Sequence, residues 1–499
     1  MKNIYRLMFV SFATLLVLST VLNPLSTIAQ VIEETDADSG ASEVTTEFTH
    51  PDDLAEAYDV IVIGAGGGGM AAAIAAKDAG ANVVIFEKMP VLGGNTVKSS
   101  AGMNASETKF QEEAGIEDSN DLFFEETMTG GHDTNDEELV RYLVDNSAAA
   151  IEWLDSMGIT LNNLTVTGGM SVERTHRPED GSAIGGYLVE GLQANVLERG
   201  IPTFVNTNVI KINEAAGAIT GVQVEIEGEE HKVNAKAVIV ATGGFGGNLD
   251  MVVENDSELE GFVTTNHEGA TGDGLVMAEA IGAQLVDMDQ IQIHPSVEQE
   301  TSYLITEAVR GEGAILVNQQ GQRFTNELDT RDAVSQSILE QIDAFAYVVF
   351  DDALRNRVKA IDQYDSMGLV TSAETIEELT SELGLDSAVL TETLTTWNES
   401  VASGIDESHG RTMGMDIGLE TAPFYAIKVA PGIHHTMGGL KINTNAEVLN
   451  ESDEVILGLY AAGEASGGVH GSNRIGGNAV ADIIIYGRQA GEQSAAFVK

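Results

Sequence analysis

The sequence predicts an α/β fold in which a Rossmann-like nucleotide-binding domain is interrupted by an inserted α+β capping (clamp) domain. Glycine-rich segments follow hydrophobic runs at 58–88, 235–248 and 458–488, as at the strand-to-helix turns of nucleotide-binding sheets. Residues 371–403 show the apolar spacing of helices without glycine-rich turns. The predicted parts are therefore 58–291 and 435–499 for the nucleotide-binding domain and 292–434 for the insertion.

Composition limits the classes of function. The chain has 499 residues and a net charge of −53, from 78 acidic and 25 basic residues. Such a charge disfavours nucleic acid and anionic membrane surfaces as partners. The absence of cysteine excludes disulfides, thiolate metal sites and c-type haem attachment. Nothing indicates oligomerisation, so a monomer is expected.

The N-terminus is typical of an exported protein. Two basic residues precede an apolar run at 7–22, and a small-residue cleavage site follows at Ala29. We interpret 1–29 as a signal peptide and expect a secreted, extracytoplasmic protein. The alternative is an uncleaved membrane anchor, for which the run is short. Residues 30–57 are acidic and rich in Ser and Thr, which predicts a flexible tail.

The first glycine-rich turn has the G-x-G-x-x-G pattern of a dinucleotide site. Gly64 permits a tight turn, Gly66 lets the backbone approach a pyrophosphate, and Gly69 allows close helix packing. Glu87 follows the next predicted strand, where an acidic side chain binds ribose hydroxyls. The free N–H groups of the following helix favour the phosphates.

Further glycine-rich loops at 91–106, 241–248 and 461–468 favour a long, buried FAD over NAD, which would not need a third loop near the C-terminus. We predict non-covalent FAD. Its expected contacts beyond Gly64, Gly66, Gly69 and Glu87 are Lys88, Gly94, Asn95, Thr96, Ala101, Gly102, Thr242, Gly243, Asp273, Gly463, Glu464, Asn478 and Ala479.

Five later motifs carry a family resemblance. They are "IQIHP" (291–295), "TEAVRGEGAILVNQQGQRFTNE" (306–327), "TRDAVSQSIL" (330–339), "PGIHHTMGG" (431–439) and "GSNRIGGNA" (471–479). Over 58–499 the chain resembles the soluble fumarate reductases of the flavocytochrome c type, within the succinate dehydrogenase/fumarate reductase flavoprotein family. The resemblance implies reduction of fumarate to succinate, with hydride from FAD N5.

The same resemblance implies roles for single residues. The substrate carboxylates would be bound by His294, Thr306, His434 and Arg474, and arginine suits such bidentate contacts. Arg331 would be the proton donor, with Glu307 and Arg310 relaying protons from solvent. A metal site at His434 and His435 is not expected, because no third ligand accompanies them. In isolation, each arginine could equally form a surface ion pair.

One segment departs from the family pattern. Relatives carry Met before a Gly-Gly pair where this chain has Thr167 before Gly168. We expect this segment and "RTHRP" (174–178) to border the substrate.

The segment "DADSGAS" (36–42) offers an electron route. Cytochrome-bearing relatives reduce FAD through haem, which a cysteine-free chain cannot attach by thioether bonds. The segment matches the D-x-x-[ST]-G-A-[ST] motif to which an FMN transferase attaches FMN covalently. We therefore predict FMN on Ser42 and an upstream membrane-side electron donor. A solvated linker is the alternative.

Several rival functions stay open. Another unsaturated acid, such as urocanate, methacrylate or a cinnamate, could be the substrate, although binding groups at both ends favour a dicarboxylate. The chain could also be a non-catalytic extracellular flavin electron carrier, or an oxidase that uses O₂. Neither of these last two needs the complete set of arginines and histidines.

Overall fold

A computed structural model of the protein describes residues 48–499. The predicted signal peptide and residues 30–47 of the predicted tail, with Ser42, lie outside the described residues.

The strands are β1 (Val60–Ile63), β2 (Val83–Phe86), β3 (Met103–Asn104), β4 (Asn163–Thr165), β5 (Thr175–Arg177), β6 (Thr203–Phe204), β7 (Thr207–Ala215), β8 (Ala218–Ile226), β9 (Glu229–Asn234), β10 (Ala237–Val240), β11 (Leu285–Val286), β12 (Ile291–Val297), β13 (Ile315–Val317), β14 (Ala346–Asp351), β15 (Thr371–Ala373), β16 (Phe424–Thr436), β17 (Gly439–Lys441), β18 (Glu447–Leu449), β19 (Val455–Ala461) and β20 (Ser466–Gly467).

The α-helices are α1 (Gly67–Asp78), α2 (Lys109–Ala114), α3 (Asn120–Gly130), α4 (Glu137–Asp145), α5 (Ser147–Ser156), α6 (Ile184–Glu198), α7 (Leu249–Asn255), α8 (Asp273–Glu279), α9 (Glu307–Gly311), α10 (Arg331–Leu339), α11 (Asp352–Arg355), α12 (Ala360–Ser366), α13 (Ile376–Leu383), α14 (Ser387–Ser403) and α15 (Asn478–Val498). Within the described residues, none of these helices is long and apolar enough to cross a bilayer.

A nine-stranded sheet forms the nucleotide-binding part. Its main order is β6-β2-β1-β10-β19-β8-β7, with β18 beside β19 and β9 beside β8. The pairs from β6 through to β8 are parallel. The strands β1, β2 and β10 consist almost wholly of buried valine and isoleucine, as expected for a parallel sheet covered on both faces.

Helices α1 and α15 pack against each other through glycine. A Cβ at Gly487 would lie 2.6 Å from the Gly68 carbonyl oxygen, and one at Gly491 would lie 2.2 Å from that of Ala72. Because no side chain intervenes, the C-terminal helix approaches the backbone of α1 directly. The last segment of the chain thereby completes the nucleotide-binding part begun at β1.

The inserted region has its own sheet and core. Strands β12, β16, β14 and β13 form a sheet in that order, with β15 also paired to β16. Its core contains residues from Ile305 to Val429, and Trp397 is its largest fully buried side chain. Helices and strands mix here, so the predicted fold class is confirmed. The boundaries at 292 and 434 stay predictions.

The structure differs from the prediction at 48–57. The sequence assigns these residues to the acidic tail, but they pack on the nucleotide-binding part. Thr49 exchanges two hydrogen bonds with Thr203 at the edge strand β6, and Ala57 bridges to Asn234. Phe48 and Leu54 contact the core. Isolated apolar residues and one threonine decide this packing, and composition does not reveal them.

Candidate active site

A cleft of about 880 Å³ opens at the carboxyl ends of β1 and β10. This edge of a parallel sheet is where nucleotides bind in doubly wound folds. The predicted FAD contacts lining the cleft are Gly64, Gly66, Glu87, Lys88, Gly94, Asn95, Thr96, Thr242, Gly243, Asp273, Gly463 and Glu464.

Glycine occupies the three motif positions for different physical reasons. Gly64 has φ +97°, and a Cβ there would lie 2.5 Å from the Ala241 carbonyl oxygen. A Cβ at Gly69 would lie 2.0 Å from the Gly64 carbonyl oxygen. At Gly66 a Cβ would meet nothing within 3.8 Å. Protein packing therefore requires Gly64 and Gly69, whereas Gly66 leaves a cradle that a Cβ would partly fill, which fits a close pyrophosphate.

Charged side chains fix the loops around this cleft. Glu87 accepts hydrogen bonds from the backbone N–H groups of Ala65 at 2.7 Å and Met89 at 2.9 Å. Lys88 donates to Asp273 at 2.6 Å, at the start of α8. The Glu87 carboxylate thus holds the glycine-rich turn at the position where it would bind ribose hydroxyls.

Two predicted FAD contacts lie elsewhere. Gly69 packs inside the turn, consistent with its predicted packing reason. The Asn478 amide is engaged by Asn104 at 2.7 Å and Thr127 at 3.3 Å, so this side chain links three segments of the protein instead of lining the cleft. Three others, Ala101, Gly102 and Ala479, line a second cavity.

This second cavity has a volume of about 2260 Å³ and is continuous with the first, because Asn95, Thr96, Glu464 and Ile483 line both. The shape suits an extended dinucleotide whose far end reaches the second cavity. Four predicted substrate or catalytic residues line this second cavity, namely Thr306, Arg331, His434 and Arg474.

Gln292 joins the two central arginines. Its Oε1 accepts hydrogen bonds from Arg331 and Arg474, both at 3.1 Å, and its Nε2 donates to Asn473 at 2.7 Å. A neutral amide therefore holds two guanidinium groups together without neutralising them. The sequence analysis missed this residue. The period-two alternation of a strand, which puts Gln292 on the same side as His294, could have identified it.

Thr306 and the histidines approach from the inserted region. Thr306 precedes α9, and its backbone N–H donates to the Tyr364 hydroxyl at 3.0 Å. His434 Nδ1 lies 2.8 Å from Thr265 Oγ1. His294 does not line the cavity. Its ring packs edge-on against that of His434, with centroids 5.2 Å apart.

The histidines are held neutral. Burial, followed by the charge of Arg331, lowers the pKa of both His294 and His434 well below the ordinary value. His294 Nδ1 accepts the Ser296 backbone N–H at 3.2 Å, so a neutral ring carries its proton on Nε2. Within the described residues this buried Nε2 has no hydrogen-bond partner.

Burial also changes the pKa values of two arginines, Arg474 and Arg310. It lowers the pKa of Arg474 to about 9, with Arg331 acting in the same direction. Burial likewise lowers the pKa of Arg310, although Glu307 opposes this. Among residues 48–499, Arg474 Nε and both Nε and Nη2 of Arg310 have no hydrogen-bond partner. Buried donors without partners are costly, so Arg474, which lines the second cavity, favours an anionic ligand there.

Glu307 connects the arginine cluster to another opening. It contacts Arg331 at 3.1 Å and accepts the Gly168 backbone N–H at 3.0 Å. Burial alone would raise the pKa of Glu307, but Arg331 and Arg310 bring it below the ordinary value. Glu307 lines a third cavity of about 780 Å³, with Thr167 and Gly168 in its wall.

Of the segment 174–178, which we expect to border the substrate, only part lines the second cavity. Arg174 is fully buried in ion pairs with Asp118 and Glu126, both at 2.7 Å. His176 is buried against Thr108. Arg177 alone of the five lines the second cavity. Strand alternation explains why neighbouring residues point away from it.

Comparisons with known proteins identify relatives of this chain. The family described as FAD binding domain matches residues 59–480. An NADH:fumarate oxidoreductase of Klebsiella pneumoniae (strain 342) is 54% identical over 441 residues, 88% of this chain. The chain spans 48% of that relative's length.

Two further relatives are covered more fully. A fumarate reductase (cytochrome) of Shewanella frigidimarina is 45% identical, over 89% of this chain and 78% of its own. The solved open conformation of a flavocytochrome c3 fumarate reductase matches with a TM-score of 0.75 and 42% identity, over 90% of this chain and 79% of its own. The resemblance to these fumarate reductases and the predicted FAD-binding fold are confirmed.

Proposed function

Because the chain belongs to the FAD binding domain family, we propose that it is a flavin-dependent fumarate reductase, which converts fumarate to succinate. The observation that carries this proposal is the pair of buried guanidinium groups of Arg331 and Arg474 in one cavity, held by the neutral Gln292. Two cations without full compensation match a ligand with two carboxylates.

The carboxylates would be held at opposite ends. Arg474 and His434 bind one carboxylate and Thr306 binds the other, while the buried ring of His294 packs against His434 behind the cavity wall. FAD held in the glycine-rich cleft would supply the hydride from N5. The protein residues polarise the double bond, and because they are already in place they stabilise the developing negative charge without reorganising. The neutral histidines act as hydrogen-bond donors, and the positive charge of the site is carried by the arginines.

Proton delivery would follow the route from the third cavity. Hydride addition to one alkene carbon leaves a carbanion at the other, and Arg331 donates the proton that completes succinate. Glu307, hydrogen-bonded to Arg331, returns a proton to it, and Arg310 stabilises the anionic form of Glu307. Fumarate thus gains one hydride and one proton, and the carboxylates keep their charges.

We further propose that the protein works outside the cytoplasm and that FMN on Ser42 passes electrons from a membrane-side donor to FAD. Phe48, six positions after Ser42, packs against the nucleotide-binding part, whereas the sequence analysis assigned 48–57 to the tail. Six residues span at most about 20 Å. Support for the proposal comes from the motif at 36–42 and from the absence of cysteine.

Substrate choice is tested by anaerobic oxidation of chemically reduced methyl viologen, with fumarate, urocanate and methacrylate offered in turn. Turnover with fumarate alone supports the proposal. Turnover with urocanate or methacrylate instead would assign another unsaturated acid. If none is reduced while FAD is bound, the result supports the alternative that the protein is an electron carrier.

The FMN is tested by intact mass. The exported protein should carry the added mass of one FMN, which Ser42→Ala removes while FAD and viologen-driven turnover remain. Ser39→Ala, in the same motif, is the control for the attachment position. An unmodified wild-type protein isolated from a host with the FMN transferase would contradict the proposal.

A further inference from the structure

Arginine pairing singles out one residue that the mechanism does not use. Of the twelve arginines at 48–499, nine have a carboxylate within 4.0 Å. The three without one in this range are Arg177, Arg310 and Arg474. In a chain with three acidic residues for each basic one, an arginine without a carboxylate partner is an exception. Arg310 and Arg474 already have proposed roles, which leaves Arg177.

Arg177 is positioned for an anion. It ends β5 and packs on Gly102, where a Cβ would lie 2.8 Å from Arg177 Cγ. Its Nη2 makes one long hydrogen bond, 3.3 Å, to the Ser182 carbonyl oxygen. Its Nε is buried and, within the described residues, has no acceptor. Burial lowers the pKa of Arg177, a cost that a bound anion would offset.

The charge of the surrounding cavity supports an anionic ligand. Within the described residues, six lysine and arginine side chains line the cavity, and the acidic residues lining it are Glu312 and Glu464. Glu312 is engaged by Arg357 at 3.1 Å. Lys359, on the inserted region, lines the same cavity and, among residues 48–499, has no carboxylate within 4.0 Å.

Exposure orders these residues from the mouth to the floor. Arg357 and Lys359 are exposed, Arg177 is half-buried, and Arg331 and Arg474 are buried. An anion entering at the mouth therefore meets Lys359 and Arg177 before the proposed reaction site. Low-dielectric walls concentrate such a field, whereas charges on the outer surface are screened beyond about 8 Å at physiological salt.

We propose that Arg177, with Lys359, forms a second, outer binding site for small dicarboxylates on the entry route to the cavity. This inference rests on the proposed function, because it assumes that the substrate is such an anion. The outer site holds an incoming dicarboxylate against the repulsion of a chain with net charge −53 and passes it to Arg331 and Arg474. It is a binding site and takes no part in hydride or proton transfer.

The kinetic test compares Arg177→Gln, Arg177→Lys and Lys359→Gln with wild type in viologen-driven fumarate reduction. Arg177→Gln should raise KM about tenfold, the scale of one charged hydrogen bond, with a smaller change in kcat. It should also flatten the dependence of kcat/KM on ionic strength. Arg177→Lys should keep the ionic-strength dependence and part of the affinity. Lys232→Gln, on β9 and outside the cavity, is the matched charge control.

Calorimetry with malonate, a saturated dicarboxylate, tests the site without turnover. In an Arg474→Gln background, residual malonate binding should persist and should be lost when Arg177→Gln is added. Residual binding that Arg177→Gln leaves unchanged, or no residual binding, would overturn the proposal. A fall in kcat with KM and ionic-strength dependence unchanged would also overturn it, because that pattern indicates a structural role. Absence of fumarate turnover in wild type would instead contradict the proposed function, and the malonate measurement would still test the outer site.

Discussion

The nucleotide-binding region and the inserted region use different chemistry around the same cavity. The first forms its cleft with backbone, through turns at Gly64, Gly66 and Gly243, with carboxylates fixing the loops. The second contributes side chains, such as Thr306 and Arg331, whose positions depend on helices α9 and α10. Backbone contacts follow from local conformation, whereas side-chain contacts require distant segments to meet.

The interiors of the two regions differ as well. The core of the nucleotide-binding sheet is almost purely aliphatic around β1, β2 and β10. The inserted region also buries an ion-pair network. Glu327 accepts from Arg323 at 2.8 Å and Arg411 at 3.1 Å, and both arginines stack on Trp397. Arg411 also donates to the Arg310 carbonyl oxygen, so this network supports α9.

This difference determines what a substitution in each region changes. A glycine substitution in the first region introduces a Cβ that contacts either the cofactor site or the protein backbone. It therefore weakens FAD binding in the first case and lowers the stability of the protein in the second. A substitution in the second region removes charge from a buried cluster, so its effect depends on what remains to compensate the partners. Variants in each region should therefore separate cofactor binding, stability and turnover.

The largest effect is expected from Arg331→Gln, which removes the proposed proton donor and one of the two cations. Fumarate reduction should fall at least about 10³-fold, within the range for loss of a general acid combined with a binding contact. FAD content should be unchanged. The assay is viologen oxidation, with surface variant Arg199→Gln as control. Activity within tenfold of wild type would exclude Arg331 as the donor.

Gly66→Ala and Gly69→Ala should affect different properties of the protein. Gly66→Ala should lower FAD occupancy and leave the thermal stability of the apoprotein nearly unchanged, because its Cβ has room within the protein. Gly69→Ala should destabilise the apoprotein itself, because its Cβ would contact the Gly64 carbonyl. Absorbance at the flavin band and apoprotein melting measure the two effects. Equal losses of apoprotein stability would contradict the assignment of Gly66 to the cofactor.

Arg411→Met tests the network of the inserted region. It leaves Glu327 buried with one partner fewer, so the free energy of unfolding should fall by about 3–5 kcal/mol. The exposed pair Arg355–Asp365 provides the control, and Arg355→Met should cost about 1 kcal/mol or less. Urea unfolding measures both. Similar small losses in the two variants would mean that the buried network contributes little to stability.

Acidification should lower the free energy of unfolding gradually, and by less than the Arg411 substitution. The unfolded chain protonates its histidines near pH 6.5, whereas burial and nearby arginines lower the pKa of His434 and His435 in the folded protein. The unfolded state therefore binds more protons, and the free energy of unfolding falls as pH drops below about 7. Each histidine contributes up to about 1.4 kcal/mol per pH unit.

Unfolding by guanidinium between pH 7.5 and 5.5 checks this slope. The double variant His434→Gln/His435→Gln should show a flatter dependence on pH, and His231→Gln, outside the cavity, should keep the wild-type slope. A wild-type protein whose stability rises on acidification would contradict the sign.

Several features of the site were predictable from local sequence. The G-x-G-x-x-G turn after a hydrophobic run predicted the cleft because turn, strand and helix lie within about thirty residues. Gln292 and the packing of Phe48 were not identified, and Arg177 was identified only as one residue of the segment 174–178. Their importance depends on which residues face them, and those residues are far away in the chain. Asn478 was assigned to FAD by its motif, but its neighbours Asn104 and Thr127 engage it first.

The sequence by itself determined the fold class, the FAD-binding turn and the set of arginines and histidines available for an anion. These depend on backbone conformation and residue chemistry, both of which are local. The tertiary structure decided which cations have carboxylate partners and which are left for a ligand. That choice depends on burial and on distances between segments such as Gln292 and Arg474, which are 182 positions apart.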